Sequence, residues 1–110
     1  MQPTIRDKHF VVVLKNLKLY DKDDIIVFEK NGLQIKRIVV VGVSEITCEY
    51  GKVYCNGFCI EPYSTCEDVK YVLDENDYFV IGDNYNNSID SRVYGPVEYS
   101  DIVGKVILIL

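Results

Sequence analysis

The sequence has little of several features that would assign it to a familiar class of protein. Acidic side chains outnumber basic ones by 17 to 12, giving a formal net charge of −5, and without a basic excess the chain is a poor candidate for binding nucleic acid. No apolar run approaches the roughly 18–20 residues that a membrane-spanning helix needs. The N-terminus lacks a charged segment followed by an apolar stretch, so we expect no signal peptide.

Metal ligands are also few. Cys48, Cys55, Cys59 and Cys66 fall within a short stretch, but no two of them have the two-residue spacing typical of zinc sites, and the single histidine, His9, is distant. We therefore expect no metal. An even number of cysteines in a small domain favours disulfides in an oxidising compartment, or buried thiols otherwise.

Helix patterns are scarce, whereas short runs of β-branched and aromatic residues recur along the chain. A hydrophobic fraction of 48% in 110 residues indicates one packed domain, 1–110. The runs predict strands at 10–14, 25–29, 33–43, 52–55, 58–61, 70–73, 78–81 and 102–110, a loop at 61–70, and a short turn or helical segment at 98–101. The predicted fold is mostly β, a single compact domain of antiparallel sheets with little helix.

An Asn31-Gly32 dipeptide predicts a hairpin with a two-residue turn, which would pair Val27 with Lys36. By alternation, Lys36 would then share its sheet face with aliphatic side chains only, those of Ile25, Val27, Ile38 and Val40. Removing an ammonium group from water is costly, so this environment would lower the pKa of Lys36. The alternative is a lysine that reaches solvent at a strand edge.

A second dipeptide, Asn56-Gly57, predicts another hairpin. If the hairpin is long, its register brings Cys48 close to Cys66, which makes Cys48–Cys66 the favoured disulfide. In the same register Cys55 and Cys59 point to opposite faces and are not paired.

A polar segment, residues 82–92, lies between two apolar strands and reads G-D-N-Y-N-N-S-I-D-S-R. Its eleven residues include two Asp, three Asn, two Ser and one Arg, with a single aliphatic side chain. Taken alone, Asp90 and Arg92 would form a solvated pair that contributes at most about 1 kcal/mol.

The order of these motifs resembles, over essentially the whole chain, the catalytic domain of type I signal peptidases. These S26-type enzymes are membrane-bound serine proteases with a Ser/Lys dyad. The polar segment matches the family pattern G-D-N-x-x-x-S-x-D-S-R at every fixed position. Residues 36–38 match K-R-[IV], and residues 54–57 match Y-x-N-G.

The resemblance assigns roles to the matched residues. Lys36 would be the general base, and Ser88 would orient its amine by a hydrogen bond. Asp90 and Arg92 would form an ion pair that holds the segment in place. The residues that set its turn would be Gly82, Asp83 and Asn84.

The family's first motif, S-M-x-P-T-[LI], begins with the nucleophilic serine, and residues 1–5 match everything after it. The serine would precede Met1, so we expect the chain as given to be inactive. Either it starts just inside the motif, or the natural protein has lost the serine.

The implied substrates are secretory precursors with small residues at the first and third positions before the cut. Their side chains would enter shallow apolar pockets near Met1, Ile5, Val27 and Ile35. No cofactor is implied. The protein would act at the outer face of the cytoplasmic membrane, held there by an N-terminal anchor.

The match has departures. Asp23-Asp24 replaces the family's Gly-Asp, and residues 40–45 replace its Pro-Gly-Asp turn. The second departure and the missing serine favour an alternative, a non-proteolytic assembly factor for pilus proteins whose partners would be pilins. A self-cleaving domain of the LexA type, with related Ser/Lys chemistry, is a third reading. The intact polar segment argues against that one.

Overall fold

The computed structural model describes residues 11–65 and 67–109. Two antiparallel sheets account for most of them, and the predicted fold class is confirmed. The strands are β1 (Val11–Leu14), β2 (Ile25–Glu29), β3 (Leu33–Val41), β4 (Ser44–Glu49), β5 (Lys52–Cys55), β6 (Phe58–Ser64), β7 (Val69–Leu73), β8 (Asp77–Ile81), β9 (Val97–Glu98) and β10 (Ile102–Ile109). Helix is limited to α1 (Ser91–Tyr94) and the 3-10 turns Tyr85–Asn87 and Tyr99–Asp101.

The larger sheet has the strand order β1-β10-β2-β3-β8-β9, and the smaller has β6-β5-β4-β7. One apolar cluster fills the space between the sheets, with Phe79 and Ile81 from the larger packed against Ile46 and Leu73 from the smaller. A second cluster, which includes Val80, covers the other face of the larger sheet. The centre of this sheet is therefore buried on both sides, which explains the unbroken apolar run of β8.

Most predicted strands are confirmed, but the strand predicted at 33–43 is wrong at its end. The chain turns at Gly42, whose φ of 76° suits glycine, and continues as the unpredicted β4. The loop predicted at 61–70 is also wrong at its start, because β6 runs on through Pro62 to Ser64. Since β6 is an edge strand, a residue without an amide hydrogen is tolerated there.

The register predicted for the first hairpin is wrong by one residue. Leu33 pairs with Glu29, so the loop has three residues, and Lys36 pairs with Ile26 instead of Val27. The Glu29 carboxylate accepts a hydrogen bond from the Gly32 amide at 2.9 Å, which supports the longer loop. Lys36 therefore shares its face with the fully buried Ile26 and Phe28, and not with Ile25 and Val27.

The second hairpin begins as predicted, with Cys55 opposite Phe58, but its extension is wrong. The chain turns again before β5, so Cys48 of β4 lies between Val53 and Val69 and has a free, buried thiol. The register that suggested a Cys48–Cys66 disulfide is thus absent, and Cys66 itself lies outside the described residues.

None of the helices within residues 11–65 and 67–109 could span a lipid bilayer. His9 falls outside the described part of the chain.

Candidate active site

The candidate site forms where β3 and β8 lie side by side. Arg37 pairs with Ile81, and one step further the same register places Lys36 opposite Gly82. A Cβ on Gly82 would overlap the Ser88 hydroxyl and would lie 3.4 Å from Nζ of Lys36. The missing side chain therefore leaves the space in which Lys36 and Ser88 meet.

Lys36 and Ser88 are in contact although they stand 52 positions apart in the sequence. The Nζ atom of Lys36 donates a hydrogen bond to Oγ of Ser88 at 3.1 Å, in a partly buried environment. The structure thus brings together the two residues to which the resemblance assigns base and orienting roles.

Burial lowers the pKa of Lys36 below its ordinary value of 10.5, because the protonated amine loses water. Two nearby charges act in opposite directions on this pKa: the carboxylate of Asp90 raises it and the guanidinium of Arg92 lowers it. Because those two charges belong to one ion pair, desolvation sets the direction.

Asp90 and Arg92 form a buried ion pair with side-chain exposures of 0% and 7%. Nε of Arg92 bonds Oδ1 of Asp90 at 2.9 Å, and Nη2 bonds Oδ2 at 2.8 Å. The guanidinium also donates to the carbonyl oxygens of Ser64 at 2.8 Å and Tyr85 at 2.7 Å, and Asp90 accepts from the Gly82 amide at 3.2 Å. The solvated-pair interpretation is therefore wrong.

Helix α1 was not predicted, and its polar contacts explain why it forms. Asp90 caps it by accepting from the Arg92 amide at 3.2 Å. The Ser91 hydroxyl accepts from the backbone amide of Val80 in β8 at 2.9 Å. These contacts fix the end of the polar segment against the sheet.

Arg37 is a site residue to which the sequence analysis gave no role. Its guanidinium binds the Asp83 carboxylate in a bidentate manner, with Nε–Oδ1 at 2.8 Å and Nη2–Oδ2 at 2.9 Å. Nη1 donates to the Asp23 carbonyl at 3.0 Å. No local pattern predicts this contact, because in the antiparallel register Arg37 lies opposite Ile81 and reaches Asp83 only where the chain leaves β8.

The residues expected to line substrate pockets are placed less favourably. Val27 pairs directly with Ile35, but in the observed register both leave the sheet on the face opposite Lys36. Val27 is buried and Ile35 is half-buried. Met1 and Ile5 lie outside the described residues.

A cavity of about 170 Å³ opens beside Ser88. The side chains around it are mostly polar, and they come from β6, the β6–β7 connection, the polar segment and α1. They are Ser64, Thr65, Glu67, Tyr85, Asn86, Ser88, Arg92 and Val93. Within the described part of the chain, no group of three or more His, Cys, Asp or Glu residues could hold a metal ion.

Comparisons with a family model and with individual proteins all find peptidases. The sequence model of the family described as signal peptidase, peptidase S26, matches residues 1–110. A signal peptidase I from Aquifex aeolicus is 35% identical over 98 residues, which is 84% of this chain and 34% of that protein. A mitochondrial ATP-independent inner membrane protease subunit 1b from Arabidopsis thaliana is 32% identical over 115 residues, 97% of this chain and 62% of that protein.

A crystal structure of a signal peptidase I from Enterococcus faecalis superimposes with a TM-score of 0.62 at 21% identity, covering 84% of this chain and all of that one. At this identity the likeness concerns the fold. The chain spans only about a third of the length of the Aquifex protein.

Proposed function

The chain belongs to the signal peptidase family, peptidase S26, and we propose that it carries the general base of a serine endopeptidase that removes signal peptides from secretory precursors. The observation that carries the proposal is the contact of the Lys36 amine with the Ser88 hydroxyl on the desolvated face of β3. A lysine can serve as a base only when it is neutral, and this environment favours the neutral form.

The geometry suggests how the amine is oriented. A neutral amine has two hydrogens and one lone pair, and one hydrogen of Lys36 is directed to Ser88. The lone pair then remains available to a second hydroxyl. That hydroxyl would belong to the serine expected immediately before Met1.

The proposed reaction has two stages. In the first, the serine oxygen bonds to the carbonyl carbon of the scissile peptide while its proton passes to Nζ of Lys36. The C–N bond then breaks, and the proton goes from Lys36 to the leaving amine. In the second stage water bonds to the acyl carbon while losing a proton to Lys36. The ester C–O bond then breaks, and this proton passes from Lys36 to the serine oxygen.

The proposal extends to the pockets that receive the side chains of the substrate. Val27 and Ile35 form an apolar patch on the opposite face of the sheet from Lys36, and we propose that it contributes to the pockets for small side chains. We propose that precursors are bound at the outer face of a membrane; one relative, the Arabidopsis protease subunit 1b, is named as an inner membrane protein.

Cleavage of a signal-peptide precursor by the full-length protein tests the proposal. We expect Lys36→Ala to lower kcat/KM by more than about a hundredfold, because general base catalysis is lost. Lys70→Ala is the matched control, since Lys70 is an exposed lysine in the smaller sheet. Retained activity in Lys36→Ala would contradict its role as base.

The wild-type assay also decides between the two candidate functions. If the wild-type protein cleaves no precursor, the peptidase proposal fails and the non-proteolytic assembly role is favoured. Residues 40–45, which depart from the family pattern, form the end of β3, the turn at Gly42 and the start of β4. In that case this turn would be the candidate surface for binding a pilus protein.

A further inference from the structure

The cavity beside Ser88 lies next to the proposed reaction centre but takes no part in the reaction itself. Ser88 lines the cavity, and its hydroxyl accepts the hydrogen bond from the Lys36 amine at 3.1 Å. Gly82 and Asp90 also lie close to this contact, and both are buried. The cavity is therefore on the solvent side of the Lys36–Ser88 contact, where a bound chain can pass.

The proton transfer decides which part of a precursor passes there. In the proposed reaction Nζ of Lys36 gives its proton to the leaving nitrogen, so that nitrogen must lie within hydrogen-bond distance of Nζ. The leaving nitrogen belongs to the first residue after the cut. The residues that follow it are thus the part of the precursor that can reach the cavity past Ser88.

The walls of the cavity combine apolar surface with one unbalanced negative charge. Val93 supplies the apolar surface and is 66% exposed. Two charged residues line the cavity, Glu67 and Arg92. Arg92 is neutralised by Asp90 at 2.8 Å, whereas exposed Glu67 forms no ion pair in the described part of the chain. The net charge around the cavity is therefore negative.

The size and the chemistry of the cavity fit one long basic side chain. A cavity of about 150 Å³ can hold a benzene ring, so the 170 Å³ beside Ser88 have room for a single large side chain. Lysine and arginine join an apolar stem to a cationic end, which matches the pairing of Val93 with Glu67. An acidic side chain would meet a like charge.

We propose that the cavity binds a lysine or arginine side chain from the second or third residue after the cut, and that Glu67 selects it. The inference rests on the proposed function, because it requires a cut beside Lys36. The first residue after the cut lies at Nζ itself, and an extended chain advances by about 3.3 Å per residue, so the next two residues reach the cavity. It is separate from Val27 and Ile35, which lie on the opposite face from Lys36.

The test uses two precursors that are identical except at the second and third residues after the cut. These residues are Lys-Lys in one precursor and Glu-Glu in the other. For the full-length wild type we expect kcat/KM to be about three- to tenfold higher for the lysine precursor, as for an exposed charge pair that changes from repulsive to attractive. The difference should shrink at high salt, which screens exposed charges.

Glu67→Lys should reverse this preference. The matched control is Glu75→Lys, which changes the net charge equally at an exposed residue in the turn before β8, at the other end of that strand from Gly82. The control should keep the wild-type preference, and the Tm of both variants checks that they fold. Equal cleavage of the two precursors by the wild type, or an unchanged preference in Glu67→Lys, would overturn the proposal. A purely structural role of Glu67 would alter cleavage of both precursors alike.

A second measurement needs no cleavage. Two short peptides that begin at the first residue after the cut, one with Lys-Lys and one with Glu-Glu, are titrated into the ¹⁵N-labelled wild type. We expect the lysine peptide to bind more tightly and to shift the amide signals of Ser64, Ser88 and Val93. Equal binding, or no shift at these amides, would overturn the proposal. If the wild type cleaves neither precursor, the proposed function fails, while the peptide titration still decides whether the cavity takes a basic side chain.

Discussion

At the scale of single residues, the site depends on a side chain that is missing. Gly82 lies opposite Lys36, and the hydroxyl of Ser88 occupies the space that a Cβ atom on Gly82 would need. The glycine of the G-D-N pattern thus has a steric role, which the resemblance had described only as setting a turn. Conformational freedom is not needed to explain it, because the constraint is the close approach of Ser88.

We predict that Gly82→Ala destabilises the protein by about 1–3 kcal/mol, the usual cost of overpacking. The same substitution in a Ser88→Gly background should cost much less, since the atoms that the new Cβ meets are gone. Urea unfolding of the four proteins measures this coupling. Equal costs in the two backgrounds would show that Ser88 is not the neighbour that excludes a side chain at position 82.

At the scale of secondary-structure elements, α1 is attached to the sheet by side chains. The hydroxyl of Ser91 accepts from the Val80 amide, so it takes the place of a strand carbonyl next to β8. The Asp90–Arg92 pair then ties the same short helix to Gly82 and to β6. Four residues of helix are too few to be stable alone, so these contacts hold it in place.

Ser91→Ala should lower the free energy of unfolding by about 1–3 kcal/mol, because it leaves the buried Val80 amide without its acceptor. It should also speed hydrogen exchange at that amide. The control is Ser100→Ala, at an exposed serine, for which we expect a change within about 0.5 kcal/mol. If both substitutions had the same small effect, the attachment through Ser91 would be energetically unimportant.

The elements also show what sequence could and could not predict. Apolar runs such as β2 and β8 were identified because their pattern is local. Strand β4 is not predicted as a separate element although Ile46 and Cys48 alternate with polar residues, because the predicted register of the second hairpin continues through the turn that precedes β5. The first hairpin was misregistered because an Asn-Gly dipeptide fits loops of more than one length.

Contacts of the site that depend on tertiary packing could not be read from local patterns. The guanidinium of Arg92 binds the carbonyls of Ser64 and Tyr85, and these become neighbours only when the two sheets pack. Lys36 and Ser88 were matched through the family pattern. Spacing alone would not have joined two residues 52 positions apart.

At the scale of the whole molecule, the larger sheet is covered on both faces at its centre, and Lys36 stands at the edge of one covered face. In the folded protein, burial at this edge favours the uncharged form of the Lys36 amine. The unfolded chain exposes the same amine to water, where its pKa is ordinary. Global stability must then depend on pH through this one residue.

The sign of that dependence follows from proton binding. Between the lowered folded pKa of Lys36 and 10.5, the unfolded state binds more protons than the folded state, so stability rises with pH. We predict that the difference in unfolding free energy, wild type minus Lys36→Met, increases across this interval. Urea unfolding at several pH values measures it. The subtraction removes the contribution of tyrosines away from Lys36, whose pKa is raised by burial. A difference that does not vary with pH would contradict the prediction.

The most direct test of the account is the titration of Lys36 itself, followed in the wild-type chain by NMR of its ¹⁵N-labelled side chain. The central claim is that the fold keeps this amine available as a base, through burial and contact with Ser88. The account predicts a pKa below 10.5 for Lys36, because burial removes water from the protonated amine. A wild-type pKa at or above 10.5 would mean that Lys36 is an ordinary protonated lysine, and the proposed mechanism would be wrong.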